Sequence, residues 1–182
     1  SPSLQEKIRL AETEIEGQRK PVTILFADIA GSTAMAEKLD PEEWKEVVQG
    51  THQRVSDAVH RYEGTVPQLL GDGVLAFFGA HLTHEDDPER AVRAGLDLQF
   101  CFLSYRRELE GFLDDFQMRV GIHTGEVVVG SVGSDDHQEY LAVGDVVNIA
   151  ARLENAADPD QILVSKACAK FIDHIFEFDA FT

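Results

Sequence analysis

Val22-Thr-Ile-Leu-Phe-Ala27 is a continuous apolar, partly β-branched run that ends on a carboxylate, Asp28. A run of this length and branching reads as a buried strand. The elements after it follow from local signals. Asp40-Pro41-Glu42-Glu43 marks a helix start, with an N-cap Asp, a first-turn Pro and a capping-box Glu. Trp44, Val47, Val48, Thr51, Val55, Ala58, Val59 and Tyr62 then fall on one helical face, and Gly64 lies just past its end. Thr65 to Leu70 and Val74 to Phe78 flank Gly71-Asp72-Gly73, which predicts a β-hairpin with Asp72 at its tip. Asp87-Pro88 opens a second helix with the stripe Ala91, Ala94, Leu98, Cys101, Phe102, Tyr105 and Leu109. Two strands are expected next, Phe116 to His123 and Glu126 to Val132, around a turn at Thr124-Gly125. A polar turn at Ser134 to His137 leads to a short strand at Tyr140 to Val143. Gly144 precedes a helix from about Asp145 to Ala156, followed by a strand at Ile162 to Val164 and a short helix capped by Ser165.

Strand, helix, hairpin, helix, hairpin, helix, strand is the order of an α/β (α+β) sandwich. The expected fold is a ferredoxin-like βαββαβ core with a mixed sheet and helices on one face, extended by a C-terminal hairpin, helix and strand. Residues 20–182 form that domain. Residues 1–19 are read apart, as a linker or signalling helix. Leu4, Ile8, Ala11 and Ile15 make a short heptad-like stripe, open to both a packed amphipathic helix and a coiled coil, and Gly17 to Pro21 breaks it. The chain starts without Met and stops abruptly at Phe181-Thr182, as a piece of a longer protein truncated at its C-terminus would.

Composition narrows the function classes. Apolar residues make up 43% of the 182, too many for a disordered chain. A formal net charge of -17 repels nucleic acid and anionic membrane, so neither is an expected partner. Two cysteines, Cys101 and Cys168, make no disulfide framework and no zinc pattern, which points to buried thiols in a cytoplasmic protein. No apolar stretch approaches membrane-spanning length, and no signal peptide opens the chain.

Four groups of residues bear chemistry. Asp28 ends a strand and Asp72 tips a hairpin; adjacent strands would bring their carboxylates together, and a divalent cation between them would relieve the repulsion. The alternative is that Asp28 caps a helix and Asp72 only makes a turn. Asp28-Ile-Ala alone also hints at a haloacid-dehalogenase phosphatase, but that chemistry wants a second Asp where Ala30 stands. Gly31 permits close approach of an anion, and a helix beginning near Ser32 offers free N–H groups. Asn148 and Arg152, at i and i+4, point the same way from one helix, as an amide and cation for phosphoryl chemistry or as an exposed pair in which Arg152 meets Glu154 or Asp158. Arg119 within a strand is either edge-exposed or aimed at an anion.

Phe26-Ala-Asp-Ile-Ala-Gly-Ser-Thr33, Leu70-Gly-Asp-Gly-Val-Leu-Ala-Phe77, Met118-Arg-Val-Gly-Ile-His-Thr-Gly-Glu126 and Val143-Gly-Asp-Val-Val-Asn-Ile-Ala-Ala-Arg-Leu153 occur in this order. Together they resemble the successive signatures of the class III adenylyl and guanylyl cyclase catalytic domain, from about Lys20 to the C-terminus. The resemblance implies an enzyme that closes ATP, or GTP, into a 3′,5′-cyclic nucleotide with release of pyrophosphate for intracellular signalling. It implies two divalent cations, Mg2+ or Mn2+, on Asp28, Asp72 and the Ile29 carbonyl. It implies a phosphate-cradling turn at Gly31, Ser32 and Thr33, with Arg119 on the terminal phosphates. Asn148 would orient the ribose and Arg152 would stabilise the transition state. The site would lie between the two subunits of a head-to-tail homodimer, and a regulatory domain upstream or downstream is expected.

Some positions depart from the family pattern. The base-reading Lys of adenylyl cyclases is here Gln68, and the second base-reading position, usually Asp or Thr, is Leu141. The Glu and Cys pair of guanylyl cyclases is missing as well. No candidate for a further phosphate-binding Lys follows Lys170. These departures keep a second reading open: a catalytically degenerate, nucleotide-binding regulatory module.

Overall fold

The computed structural model describes residues 18–80, 82–132, 139–143 and 145–181. The order is β1 (Gln18–Ile29), α1 (Ser32–Lys38), α2 (Pro41–Arg61), β2 (Thr65–Leu70), β3 (Gly73–Phe78), α3 (Asp87–Glu108), β4 (Met118–Val132), β5 (Glu139–Val143), α4 (Val146–Ala156), β6 (Ile162–Val164) and α5 (Lys166–Ala169). The sheet runs β2-β3-β1-β4-β5, with β6 added in parallel to β4. The stretch β2-β3-β1-β4, antiparallel throughout, is the ferredoxin-like core expected from the sequence. The stripe Leu4 to Ile15, the turn at Ser134 to His137 and Gly144 lie outside the described residues.

The alternation of β1 explains the layers. Leu25, Ala27 and Ile29 enter one core with Val47, Val55, Ala58 and Val59 of α2 and Ala91, Ala94, Leu98 and Phe102 of α3. Val22 and Ile24 enter a second core with Leu75, Phe77 and Val127, closed by Val146 and Ala150 of α4. The two helices of the ferredoxin-like core thus share one face, while α4 covers the other. One-sided packing, expected from the element order, does not extend to α4. The reason lies in the unbroken apolar run of β1, which needs cover on both faces.

Two local expectations are corrected. The first strand, expected from Val22, begins at Gln18, and Gln18 to Pro21 pair with Val129 to Glu126 of β4. Pro21 lies past the last β3 pair, Thr23 with Phe78, where β1 has a neighbour on one side only, and strand prolines occur in such settings. Thr124-Gly125 is no turn either, since β4 runs straight through it. Thr124 stands opposite Thr23 with their hydroxyls 2.8 Å apart, and a Cβ at Gly125 would lie 2.9 Å from Val146 Cγ2. The small residue serves helix packing.

Local chemistry fixes the ends of the elements. The Asp40 backbone N–H donates to Glu43 Oε2 at 3.0 Å, closing the capping box of α2. Ser165 Oγ accepts from the Cys168 N–H at 3.1 Å and lies 2.7 Å from His123 Nδ1, which ties α5 to β4. Both cysteines are free, Cys168 buried and Cys101 half-buried. No helix among the described residues is long and apolar enough to cross a membrane.

The tightest contact in the fold is between α4 and β4 at Gly121. A Cβ there would collide with the Ala150 carbonyl oxygen and the Glu154 nitrogen, both backbone atoms that no rotamer change can move. Gly121→Ala is expected to push α4 off the sheet and lower unfolding stability by about 1–3 kcal/mol. Urea unfolding followed by circular dichroism measures this, and an unchanged midpoint would show that α4 has room to shift.

Candidate active site

Pairing of β1 with β4 sets Asp28 opposite Arg119. Arg119 Nη2 lies 3.4 Å from both carboxylate oxygens of Asp28. Asp72, in the turn between β2 and β3, accepts the Ile29 backbone N–H on Oδ2 at 3.0 Å. The hairpin tip is thereby tied to the end of β1, and the two aspartates meet at one corner of the sheet. Ala30 N–H donates to the Gln117 carbonyl at 2.8 Å, steering the chain into α1. Gly31, at φ 69°, and Gly71, at φ 62°, take left-handed conformations that favour glycine. Open space surrounds both positions, with no atom within 4 Å of an added Cβ. Ser32 and Thr33 follow in the first turn of α1.

A third carboxyl completes the corner. Glu154 of α4 is 1% exposed, and its Oε1 lies 3.2 Å from Arg119 Nε. The angle does not complete a hydrogen bond, so both atoms are buried without a partner among the described residues. Burial, then the neighbouring Asp28 carboxylate, then Asp72 push the Glu154 carboxyl up to about 9, against the pull of Arg119. In the metal-free chain this favours the protonated form of Glu154, while Arg119 lies within ion-pair distance of both Glu154 and Asp28. The sequence reading weighed Glu154 only as a surface partner for Arg152. The available signal was its place on the stripe Val146, Ala150, Glu154: a carboxylate on the apolar side of an amphipathic helix.

Asn148 and Arg152 occupy the other side of α4. They lie two residues, or about 200° of helical turn, from Val146 and Ala150, and both are exposed. Neither side chain has a hydrogen-bond or ion-pair partner among the described residues, so the alternative pairing of Arg152 with Glu154 or Asp158 is not formed. One chain therefore brings together Asp28, Ile29, Asp72 and Arg119, with Gly31, Ser32 and Thr33 alongside, and turns Asn148 and Arg152 outward. Gln68 is exposed on β2, opposite Leu75, while Leu141 pairs with Gly130 in β5. These strands end the sheet path on opposite sides, so the two base-reading candidates share no strand pair. The side chain of Leu141 lies outside the described residues.

A family described as the adenylate and guanylate cyclase catalytic domain matches residues 15–181. The chain belongs to this family. It is a class III nucleotide cyclase domain, as the four sequence signatures implied. It is similar to Adenylate cyclase 1 of Rhizobium meliloti (strain 1021), 37% identical over 144 residues, covering 75% of this chain and 21% of that protein. The chain thus spans about a fifth of that relative's length. Among solved structures it is similar to the guanylyl cyclase Cya2, with 35% identity, a TM-score of 0.79, and 86% of this chain and 80% of that chain covered. It is also similar to the adenylyl cyclase CyaB from P. aeruginosa, with 32% identity, a TM-score of 0.81, and 88% and 84% covered.

The donors at the corner of the cyclase domain fit a divalent cation. Asp28, Asp72 and the Ile29 carbonyl offer hard oxygen donors, and the upward shift of the Glu154 carboxyl, set first by burial and then by the Asp28 carboxylate, is in keeping with negative charge gathered there. Among the described residues no group of three or more His, Cys, Asp or Glu is arranged to hold a metal.

Because the Glu154 carboxyl titrates at about 9 in the folded cyclase domain and near 4.5 when free, the folded state holds an extra proton between those values. The associated stability is fully present below the lower value and is lost as pH rises toward the upper one. In metal-free buffer, urea unfolding should show stability falling from pH 5 to pH 9. Glu154→Gln, neutral throughout, should flatten that slope and gain about 1–3 kcal/mol at the alkaline end. Parallel pH profiles for the two proteins would mean that Glu154 ionises like a surface carboxylate.

Proposed function

We propose that two copies of this chain, packed head to tail in the cytoplasm, convert ATP, and GTP less efficiently, to the 3′,5′-cyclic nucleotide and pyrophosphate. The observation that carries this reading is the two-sidedness of α4. Its inward face gives Glu154 to the Asp28–Arg119 pair, and its outward face turns Asn148 and Arg152 away from the same chain's carboxylates. A second copy would present its own Asn148 and Arg152 to Asp28, Asp72 and Arg119, and two-fold symmetry would make two such sites.

In this reading Gly31, Ser32 and Thr33 cradle the triphosphate, and Arg119 meets its terminal phosphates. Asn148 orients the ribose. Arg152 neutralises the charge that builds on the α-phosphoryl oxygens as the ribose 3′-oxygen attacks. The 3′-oxygen forms a bond to the α-phosphorus, the bond to the α,β-bridging oxygen breaks, pyrophosphate leaves with the electron pair, and the 3′ proton passes to water. Two divalent cations, Mg2+ or Mn2+, held by Asp28, Asp72 and the Ile29 carbonyl, would lower the pKa of the 3′-hydroxyl and neutralise the triphosphate. Gln68 and Leu141 read the base. A neutral amide can rotate to suit either purine edge, so discrimination of only about ten-fold is expected. A regulatory segment joined to the domain, with Leu4 to Ile15 pairing across the dimer, belongs to the same proposal.

Incubation with Mn2+ and ATP or GTP, followed by product analysis, tests the reaction. Asp28→Ala or Asp72→Ala should lower turnover by a factor on the order of a thousand or more. Mixing Asp28→Ala with Arg152→Ala protein, each inactive alone, should restore part of the activity, because one interface of a mixed dimer keeps a full set of residues. No rescue under confirmed subunit exchange would sink the shared site. Absence of product from either nucleotide would leave the binding-module reading, which Gln68 and Leu141 favour. The kcat/KM ratio for ATP over GTP should lie near ten, and a ratio above about a thousand would mean that other residues read the base.

A further inference from the structure

Glu154 is the buried acid at the corner that the reaction proposed above does not use. A carboxyl on the apolar side of a helix, 1% exposed, is costly to place there, and an apolar side chain would fill the same space without that cost. The group lies against Arg119, with Oε1 3.2 Å from Nε. Both atoms are closed off from solvent, and neither has a hydrogen-bond partner among the described residues. The two orphans face each other, so a small turn of either side chain would satisfy both at once.

Arg119 is otherwise loosely held. Its Nη2 lies 3.4 Å from each carboxylate oxygen of Asp28, and its Nη1 lies 3.4 Å from the Asn155 carbonyl oxygen. These contacts are long beside the roughly 2.7–2.9 Å of a good charge-assisted bond. The side chain is 24% exposed, so an anion can reach it. We propose that Glu154 is a positioning residue for Arg119: its carboxyl oxygen takes the Nε–H when the Nη groups turn from Asp28 to the terminal phosphates of the nucleotide. The inference rests on the reading of Arg119 as a phosphate-binding residue for its chemistry, and on the orphaned pair for its geometry.

The contact acts on direction. The Nε–H lies in the plane of the guanidinium, so an acceptor there fixes how the whole flat group is turned. Among the described residues Asp28 is the only other charged partner of Arg119, and it stands directly across the β1–β4 ladder. With Asp28 alone, the guanidinium is free to settle on that carboxylate. Glu154 holds it from α4, a different element, and burial keeps water from taking its place. An oxygen of the carboxyl accepts whether or not the group carries its proton, so the contact asks for an acceptor rather than for a charge.

Equilibrium binding to the whole chain in Mg2+ buffer, of α,β-methylene-ATP, which cannot be cyclised, and of AMP tests the proposal. Glu154→Leu should weaken the triphosphate analogue about ten-fold and AMP less than about two-fold, because AMP has no terminal phosphates. Glu154→Met, flexible and of similar length, is the second apolar variant, and urea midpoints show that each is folded. Glu154→Gln keeps an accepting oxygen and should hold affinity within about three-fold of the parent chain. In an Arg119→Ala background, Glu154→Leu should add less than about two-fold, since the two residues act as a unit. The Arg119 Nε–H resonance, identified by its loss in Arg119→Ala, should become protected from solvent exchange when the analogue binds the parent chain, and not when it binds Glu154→Leu. Equal weakening of both ligands by the apolar variants would overturn the proposal, and so would the same weakening with Arg119 absent; Glu154 would then serve packing alone. Glu154→Gln falling as far as Glu154→Leu, or an Nε–H unchanged on binding, would overturn it too. Each of these results leaves the cyclase reading intact where cyclic product still forms. Binding in the expected pattern without product from either nucleotide would refute that reading and leave the role of Glu154 standing.

Discussion

The pairing of β1 with β4 sets Asp28 across from Arg119, sets Gly121 where α4 can lie against the sheet, and carries the chain past Thr124 and Gly125 without a turn. The rest of the candidate site is assembled on that ladder. Asp72 reaches the corner because β3 pairs with the other side of β1, and its carboxylate is held by the Ile29 N–H. A slip of one residue between β1 and β4 would send Asp28 and Arg119 to opposite faces, and would turn Leu25, Ala27 and Ile29 away from α2 and α3. Fold and site therefore stand or fall on the same alignment.

The corner built this way is crowded with carboxyl groups, and the structure relieves the crowding in two ways. Arg119 compensates Asp28, and the metal-free chain favours the protonated form of the buried Glu154. The residual negative charge suits a cation, and a phosphate ester would be accommodated there only alongside one. A formal net charge of -17 opposes polyphosphates in general, which gives weight to the placement of single cations such as Arg119.

Much of this arrangement was legible in the sequence because it depends on local signals. The Asp40-Pro41 helix start, the hairpin around Asp72 and the Ser165 cap each state their own conformation within a few residues. Thr124-Gly125 misled for a physical reason: glycine marks both turns and close approaches, and only the position of Val146 tells them apart. Glu154 was hidden because its significance comes from Asp28 and Arg119, distant in sequence and joined to it only when α4 docks. The start of β1 at Gln18 was hidden because Gln18 to Pro21 lie outside the apolar run, and only their pairing with β4 adds them to the strand.

The contact at Gly121 has a mechanical consequence. There backbone rests on backbone, so α4 cannot come closer to the sheet, and Val146, Ala150 and Glu154 pack along the rest of its inner face. Asn148 and Arg152 are thereby tied in position to Asp28 and Arg119 of the same chain. In the proposed head-to-tail pair, control would fall chiefly on the angle at which one copy docks on the other, and small rotations there would act on both faces of α4 at once.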